Sequence, residues 1–183
     1  MNLNINREWV RPENSILFRG VYELEHVRYR DVSRKELGLA AHFGRWECEN
    51  LVVAQGINRL FDVMFHQDTQ TLTWYLGLIS GATAPVDGDT LASHGFTEYK
   101  NYTGDRKEWI EGAAAGKVIE TATPAQRAEF DFIETITITG GLLCSVETGD
   151  VGTLFSAALF AASRTLNDGD TLRLNYKLTG SST

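Results

Sequence analysis

Between Thr171 and Thr179 the chain alternates without a break. Leu172, Leu174, Tyr176 and Leu178 take the even positions, and Thr171, Arg173, Asn175, Lys177 and Thr179 take the odd ones. A period of two is that of an extended strand, and the apolar/polar split is that of an antiparallel sheet with one wet face. The pattern recurs upstream in shorter pieces. Phe130 and Phe132, then Ile136 and Ile138, hold alternate positions among Asp131, Thr135, Thr137 and Thr139, with Glu134 interrupting the apolar face where a bend is expected. Residues 73–80 form an aromatic and aliphatic run suited to a central, buried strand, and residues 81–88 have the Gly, Pro and Asp content of a loop. Residues 16–29 mix Ile16, Leu17, Phe18, Val21, Tyr22, Leu24, Val27 and Tyr29 with charged neighbours, which predicts one or two half-exposed strands at an edge or interface. Short strands divided by Gly, Asp and Asn predict a mainly β chain: an antiparallel β-sandwich or jelly-roll-like domain.

One segment breaks the period. Ile57, Leu60, Phe61, Met64 and Phe65 fall at offsets of three, four, seven and eight, which places all five on one face of an accessory amphipathic helix. The spacing predicts a helix that packs this whole face against one side of the sheet. Residues 1–15 are polar, carry Pro12 and read as an extended N-terminal arm; residues 16–183 read as a single domain, with 16–49 as a docking hairpin or extension of it. A chain of 183 residues with 43% hydrophobic content is long enough for one core.

The net charge of −7 argues against a nucleic-acid partner, because phosphate affinity rests on clustered Lys and Arg. The acidity is uneven: eight basic and six acidic residues lie up to Arg45, leaving nine basic and eighteen acidic beyond it. A near-neutral front on an acidic body either helps the front dock on an acidic surface or is ordinary solvated charge. No window approaches the roughly 18 apolar residues that a membrane span needs, and residues 1–11 lack the apolar stretch of a leader, so synthesis in a host cytoplasm and no membrane partner are expected.

Catalytic signatures are absent from the sequence. His26, His42, His66 and His94 are scattered, and Ser93 beside His94 is no dyad because neighbours on a strand point apart. Gly112, Gly116 and Lys117 lack the full phosphate-loop motif, and acid pairs such as Glu108 and Glu111 occur in any acid-rich chain. Cys48 and Cys144 lack zinc or redox spacing and read as buried thiols, with a disulfide as the lesser alternative. The pentapeptide Asp87–Leu91 recurs as Asp168–Leu172; its paired aspartates invite a cation, but the further acidic ligands are missing, and turns leading into strands are the simpler reading. No cofactor, metal or catalytic residue is expected.

The order of several motifs resembles that in small structural proteins of tailed-bacteriophage virions. Trp74, Tyr75, Gly77 and Leu78 lead to Asp89, Thr90, Ala92, Ser93 and His94. Around them stand Asn50, Leu51, Val52 and Val53 before Gly56 and Leu60, then Gly152 to Ala157 with Leu159 and Phe160, and Gly169 to Leu172 before the last strand. The resemblance runs from about Tyr22 to the C-terminus, with residues 32–45 departing from it. It implies a non-enzymatic virion component, chiefly a capsid decoration (cement) protein on the outside of the shell. The implied partners are the major capsid protein and further copies of the chain, as a dimer or trimer. A tail or fibre component contacting a host glycan is the alternative.

Candidate contact residues follow from the chain's front and its aromatics. Trp9, Arg11, Phe18, Arg19, Tyr22, Arg28, Tyr29 and Arg30 are expected at the partner interface. Phe96, Tyr99, Tyr102 and Trp109 fall in a stretch read as a projecting loop, where large aromatics anchor interfaces or stack on sugars; packing beneath the loop is the other reading.

Overall fold

The alternation over residues 171–179 becomes the last strand of an antiparallel β architecture. The computed structural model describes residues 16–29, 35 and 41–182. In chain order these form β1 (Ile16–Arg28), β2 (Ala41–Val52), α1 (Ala54–Phe65), β3 (Trp74–Ser80), β4 (Thr97–Tyr99), β5 (Lys107–Trp109) and β6 (Val118–Glu120). A 3₁₀ turn (Pro124–Gln126) then precedes β7 (Ala128–Asp131), β8 (Ile136–Cys144), β9 (Leu154–Leu166) and β10 (Asp170–Ser182). The predicted arm over residues 1–15 lies outside the described residues, as do Trp9, Arg11 and Arg30.

The strands run β4-β3-β8-β9-β2-β1-β10-β6, with β5 sharing the far edge of β3 and β7 that of β10. β2 belongs to two layers. It pairs with β1 from Ala41 to Asn50, but meets β9 only through Leu51–Ala157 and Val52–Ser156. The sheet therefore curls at this corner, and β2-β1-β10 faces β9-β8-β3 across one core. Tyr22, Leu24, Leu172, Leu174 and Tyr176 fill the core from the first layer, and Leu76, Leu78, Leu143 and Phe155 from the second. The even residues of β10 point inward as their spacing predicts.

Two expectations about the front of the chain change. β1 is one continuous strand of 13 residues, bonded to β10 on one side and β2 on the other, so it is interior to its layer and not an edge. Segments 16–28 and 41–49 are accordingly part of the main sheet and not an appended hairpin. The interior also holds a hydroxyl cluster that sequence spacing did not reveal. Tyr22 Oη and Ser156 Oγ lie 3.1 Å apart, Ser156 Oγ donates to Tyr176 Oη at 3.2 Å, and Asn50 Nδ2 donates to the same phenol at 3.1 Å. Burial pushes the Tyr176 phenol up to about 12, so the cluster is neutral and ties the two layers together by hydrogen bonds alone.

The repeated pentapeptides share one device. In each, the second aspartate accepts the amide three residues back: Asp89 Oδ2 from Val86 N and Asp170 Oδ2 from Asn167 N, both at 2.8 Å. Asp170 also receives Arg28, through Nε and through Nη2 at 2.9 Å, and lies 3.0 Å from His26 Nε2. Its oxygens are engaged in holding a turn. The second copy leads straight into β10, while the first leads into a further turn closed by the Thr90–Ser93 bridge. Both cysteines are free thiols, and burial pushes Cys144 up to about 11.

Candidate interaction surface

Helix α1 starts where β2 and β9 part. Val53, fully buried, donates its amide to Phe155 O at 3.1 Å, and Gly56 lies directly on the β9 backbone: a Cβ there would stand 2.3 Å from Phe155 O. Gln55 secures the same turn. Its Oε1 accepts Leu91 N at 3.1 Å and Leu154 N at 2.7 Å, and its Nε2 donates to Gly152 O at 3.3 Å. One side chain thereby joins helix, loop and strand.

The helix is anchored at its first half only. Ile57 and Leu60 pack on the core, but the C-terminal half overhangs it, leaving Phe61, Met64 and Phe65 at 50, 69 and 75% exposure. This corrects the expectation that all five apolar residues bury against the sheet. A helix of 12 residues is about 18 Å long, and the β9 surface supports only its beginning. The strap that follows turns through Gln67 at φ +59° and is tied back by Arg59, which bonds the Asp68 carboxylate, Thr69 O and, at 3.2 Å, Thr71 Oγ1. Leu72, at its end, is 83% exposed.

Beneath helix and strap lies a cleft of about 290 Å³, walled by Leu60, Val63 and Leu72 and floored by Trp74, Trp109 and Leu178. Trp74 meets Phe155 edge-on at 5.4 Å, and Trp109 meets Tyr176 at 5.1 Å while its Nε1 donates to Thr121 Oγ1 at 3.1 Å. The floor is thus fixed from behind. A second cleft of about 410 Å³, lined by Phe18, Val118 and neighbours, shares Ile119 and Leu178 with the first. The two adjoin at Ile119 and Leu178 in one groove whose lining is mainly apolar but includes Arg59, Gln70, Glu111 and Lys117. Fixed aromatic and aliphatic groups stand there beside exposed ones.

The expected contact residues are not gathered into one site. Phe18 is half-buried and lines the groove. Arg19 is exposed and paired with Glu49. Tyr22 is core, contrary to expectation, because it is an even, inward-facing residue of β1. Arg28 is committed to Asp170, and Tyr29 accepts a hydrogen bond from Arg173. Ten residues of strand put Phe18 and Arg28 about 33 Å apart.

Phe96, Tyr99, Tyr102 and Trp109 are also core, at 4–7% exposure. Tyr99 stacks on Phe132 at 5.9 Å and Tyr102 meets Phe130 edge-on at 4.8 Å. Packing beneath the loop therefore replaces the projecting aromatic loop. The loop is clamped by Arg106, which is paired with Glu98 through Nε and Nη2 at 2.6 and 2.8 Å and donates through Nη1 to Val146 O and Gly149 O. Sequence reading missed Gln55, Arg59 and Leu72, whose residue types carry no positional signal; the stripe of Phe61, Met64 and Phe65 was visible, but not its exposure.

No family model matches the chain, and no curated protein matches it.

Proposed function

We propose that this chain is a non-enzymatic structural component of a bacteriophage virion, a decoration protein that binds the outside of the capsid shell and stabilises it. The observation that carries the adhesive part of this reading is the apolar face at α1: three large side chains and Leu72 stand in solvent beside a groove floored by tryptophans. Exposed apolar patches of this kind mark protein-binding surfaces, because water contact with them is unfavourable until a partner covers them. The virion part rests on the ordered motifs from Asn50 to Leu172.

The mechanism is adhesion. A rigid sandwich associates with further copies and contacts neighbouring major capsid subunits through its front, so that several weak contacts must break together before capsomers separate. The glycan-binding alternative asks for exposed aromatics grouped with Asp and Asn; the aromatics from Phe96 to Trp109 are occupied in the core, which leaves Phe61 and Phe65, beside Asn58 and Asp62 on α1, as the group that would serve it. Among the described residues no helix is long and apolar enough to cross a membrane.

The test mixes the purified chain with mature shells lacking it, and measures co-sedimentation and rupture pressure. Saturable binding that raises the rupture pressure is expected. Failure to bind such shells overturns the proposal, and a handful of copies per virion in place of hundreds moves the protein to the tail.

A further inference from the structure

We propose that the cleft between β2 and β9 binds a small apolar carboxylic acid, with the Arg164 guanidinium receiving the carboxylate and Leu24, Trp46 and Phe160 enclosing the apolar body. The cleft shares no lining residue with the groove at α1, and the inference does not depend on the virion assignment.

The cleft exists because two long strands part. β2 and β9 pair only through Leu51–Ala157 and Val52–Ser156, and beyond that corner they leave a space of about 310 Å³. At the roughly 30 Å³ that one water takes up in the liquid, it accommodates on the order of ten heavy atoms. Cys48 closes the end nearest the corner: its thiol, kept neutral because burial pushes it up, donates to Leu159 O at 3.1 Å. One cysteine side chain spans the gap there, whereas a third strand needs about 4.8 Å on either side, so a partner's strand does not fit. A bulge aims the cation. From the Leu159–Gly140 pair to the Arg164–Ile138 pair, β9 advances five residues while β8 advances two, and the extra length lays Arg164 on the ring of Trp46, 3.7 Å from its centroid. That ring is itself fixed at Gly44, φ +148°, where a Cβ would stand 2.5 Å from Trp46 Cζ2.

Charge selects the ligand. Among the described residues Arg164 pairs with no carboxylate; its Nη1 donates to Ser163 O at 2.9 Å, and its Nε is buried without a partner. Glu47, the acid at the rim, is exposed and stands between Trp46 and Cys48, which pack on the core, so it points to the outer face. A guanidinium nitrogen buried among apolar walls is costly until an acceptor meets it. Inorganic phosphate or sulfate would answer the charge and leave the walls of Leu24 and Phe160 unfilled. A neutral apolar molecule would fill the walls and leave Nε unmet. A carboxylate on an apolar body answers both.

The experiment titrates the full chain with octanoate, and with 1-octanol and octylammonium as its neutral and cationic counterparts of the same length. Binding is followed by calorimetry and by the nuclear magnetic resonance signal of the Arg164 Nε–H group. Octanoate is expected to bind saturably at one site and to shift that signal. Octanol is expected to bind roughly ten- to a hundredfold more weakly, the difference being one hydrogen-bonded charge, and octylammonium not to bind. Arg164→Gln is expected to lower octanoate affinity to the octanol level and to leave octanol unchanged. Ala162→Leu, which adds bulk to the cleft from an exposed position and keeps the guanidinium, is expected to abolish binding of both. Unchanged near-ultraviolet dichroism checks that each variant is folded. A parent chain that shows no saturable binding of octanoate at millimolar concentration overturns the proposal. Octanoate that binds without moving the Arg164 signal, or binds folded Arg164→Gln or Ala162→Leu as tightly as the parent, sits elsewhere and overturns it too, as does octanol binding as tightly as octanoate.

Discussion

Gln55 holds three segments with one amide, and nothing in its sequence surroundings marks it. With the side chain gone, the Leu91 and Leu154 amides lose their acceptor in a half-buried position, and each unmet donor costs about 1–3 kcal/mol. Gln55→Ala is expected to lose about 2–3 kcal/mol, read as a lower urea midpoint with an unchanged slope. Asp170 supports a second prediction. Burial alone would raise its carboxyl, but hydrogen bonds from Arg28, the Asn167 amide and His26 outweigh burial and hold it below the usual carboxylate range. Because its folded value is depressed, the unfolded chain takes up the proton first as pH falls. The stabilisation is complete above about pH 4 and is lost as pH falls through the folded value. Asp170→Asn is expected to cost about 1–3 kcal/mol at neutral pH, by leaving the part-exposed Arg28 guanidinium without its counter-charge and weakening the turn that accepts the Asn167 amide. Its urea midpoint is expected to fall less steeply than the parent's below about pH 4, with the slope that remains belonging to Glu23, Glu25 and Asp131, which are also held low.

Elements whose spacing is long enough to show a period were legible, and short ones were not. Residues 171–179 announced β10 because nine positions alternate without exception, a continuous aromatic and aliphatic run before loop residues placed β3, and a break in the alternation placed the bend at Glu134, whose carboxylate accepts from Tyr99 Oη at 3.0 Å. β4 and β5 are three residues each, too short for alternation to be seen, so their aromatics read as loop residues when they are core. For α1 the periodicity gave the face but not its support, because the extent of the β9 surface beneath a helix is a tertiary fact. The exposed apolar face of α1 was therefore the least legible part of the molecule. Gly56 separates helix propensity from packing in an experiment. By propensity alone, Gly→Ala inside a helix gains about 1 kcal/mol. Here the added methyl would stand 2.3 Å from Phe155 O and 2.8 Å from Phe155 Cα, both backbone, so the helix must lift from β9. Gly56→Ala is expected to destabilise the fold by about 1–3 kcal/mol, with a lower melting temperature where the propensity scale predicts a higher one.

The first and last described strands are partners: Ile16 stands opposite Ser182 and Arg28 opposite Asp170, so the domain closes only when the ends of the chain meet. Ordering such distant segments before they gain contacts makes folding slow relative to helical domains of this size. The same closure makes β1 indispensable to the fold. Residues 1–15 precede the first strand of the core, whereas β1 supplies Tyr22 and Leu24 to the interior and hydrogen-bonds on both edges. A chain beginning at Ile16 is expected to keep the parent's melting temperature within about 2 °C, a shift matching about 0.5–1 kcal/mol for a domain of this length. A chain beginning after Arg28 is expected not to fold, because it leaves β2 and β10 without their shared partner and strips the first layer of its centre. Calorimetry on the two truncations distinguishes them. Under the decoration reading the shorter truncation also binds shells more weakly than the full chain. Equal shell affinity with and without residues 1–15 would remove the arm from the mechanism and leave the sandwich as the sole adhesive body.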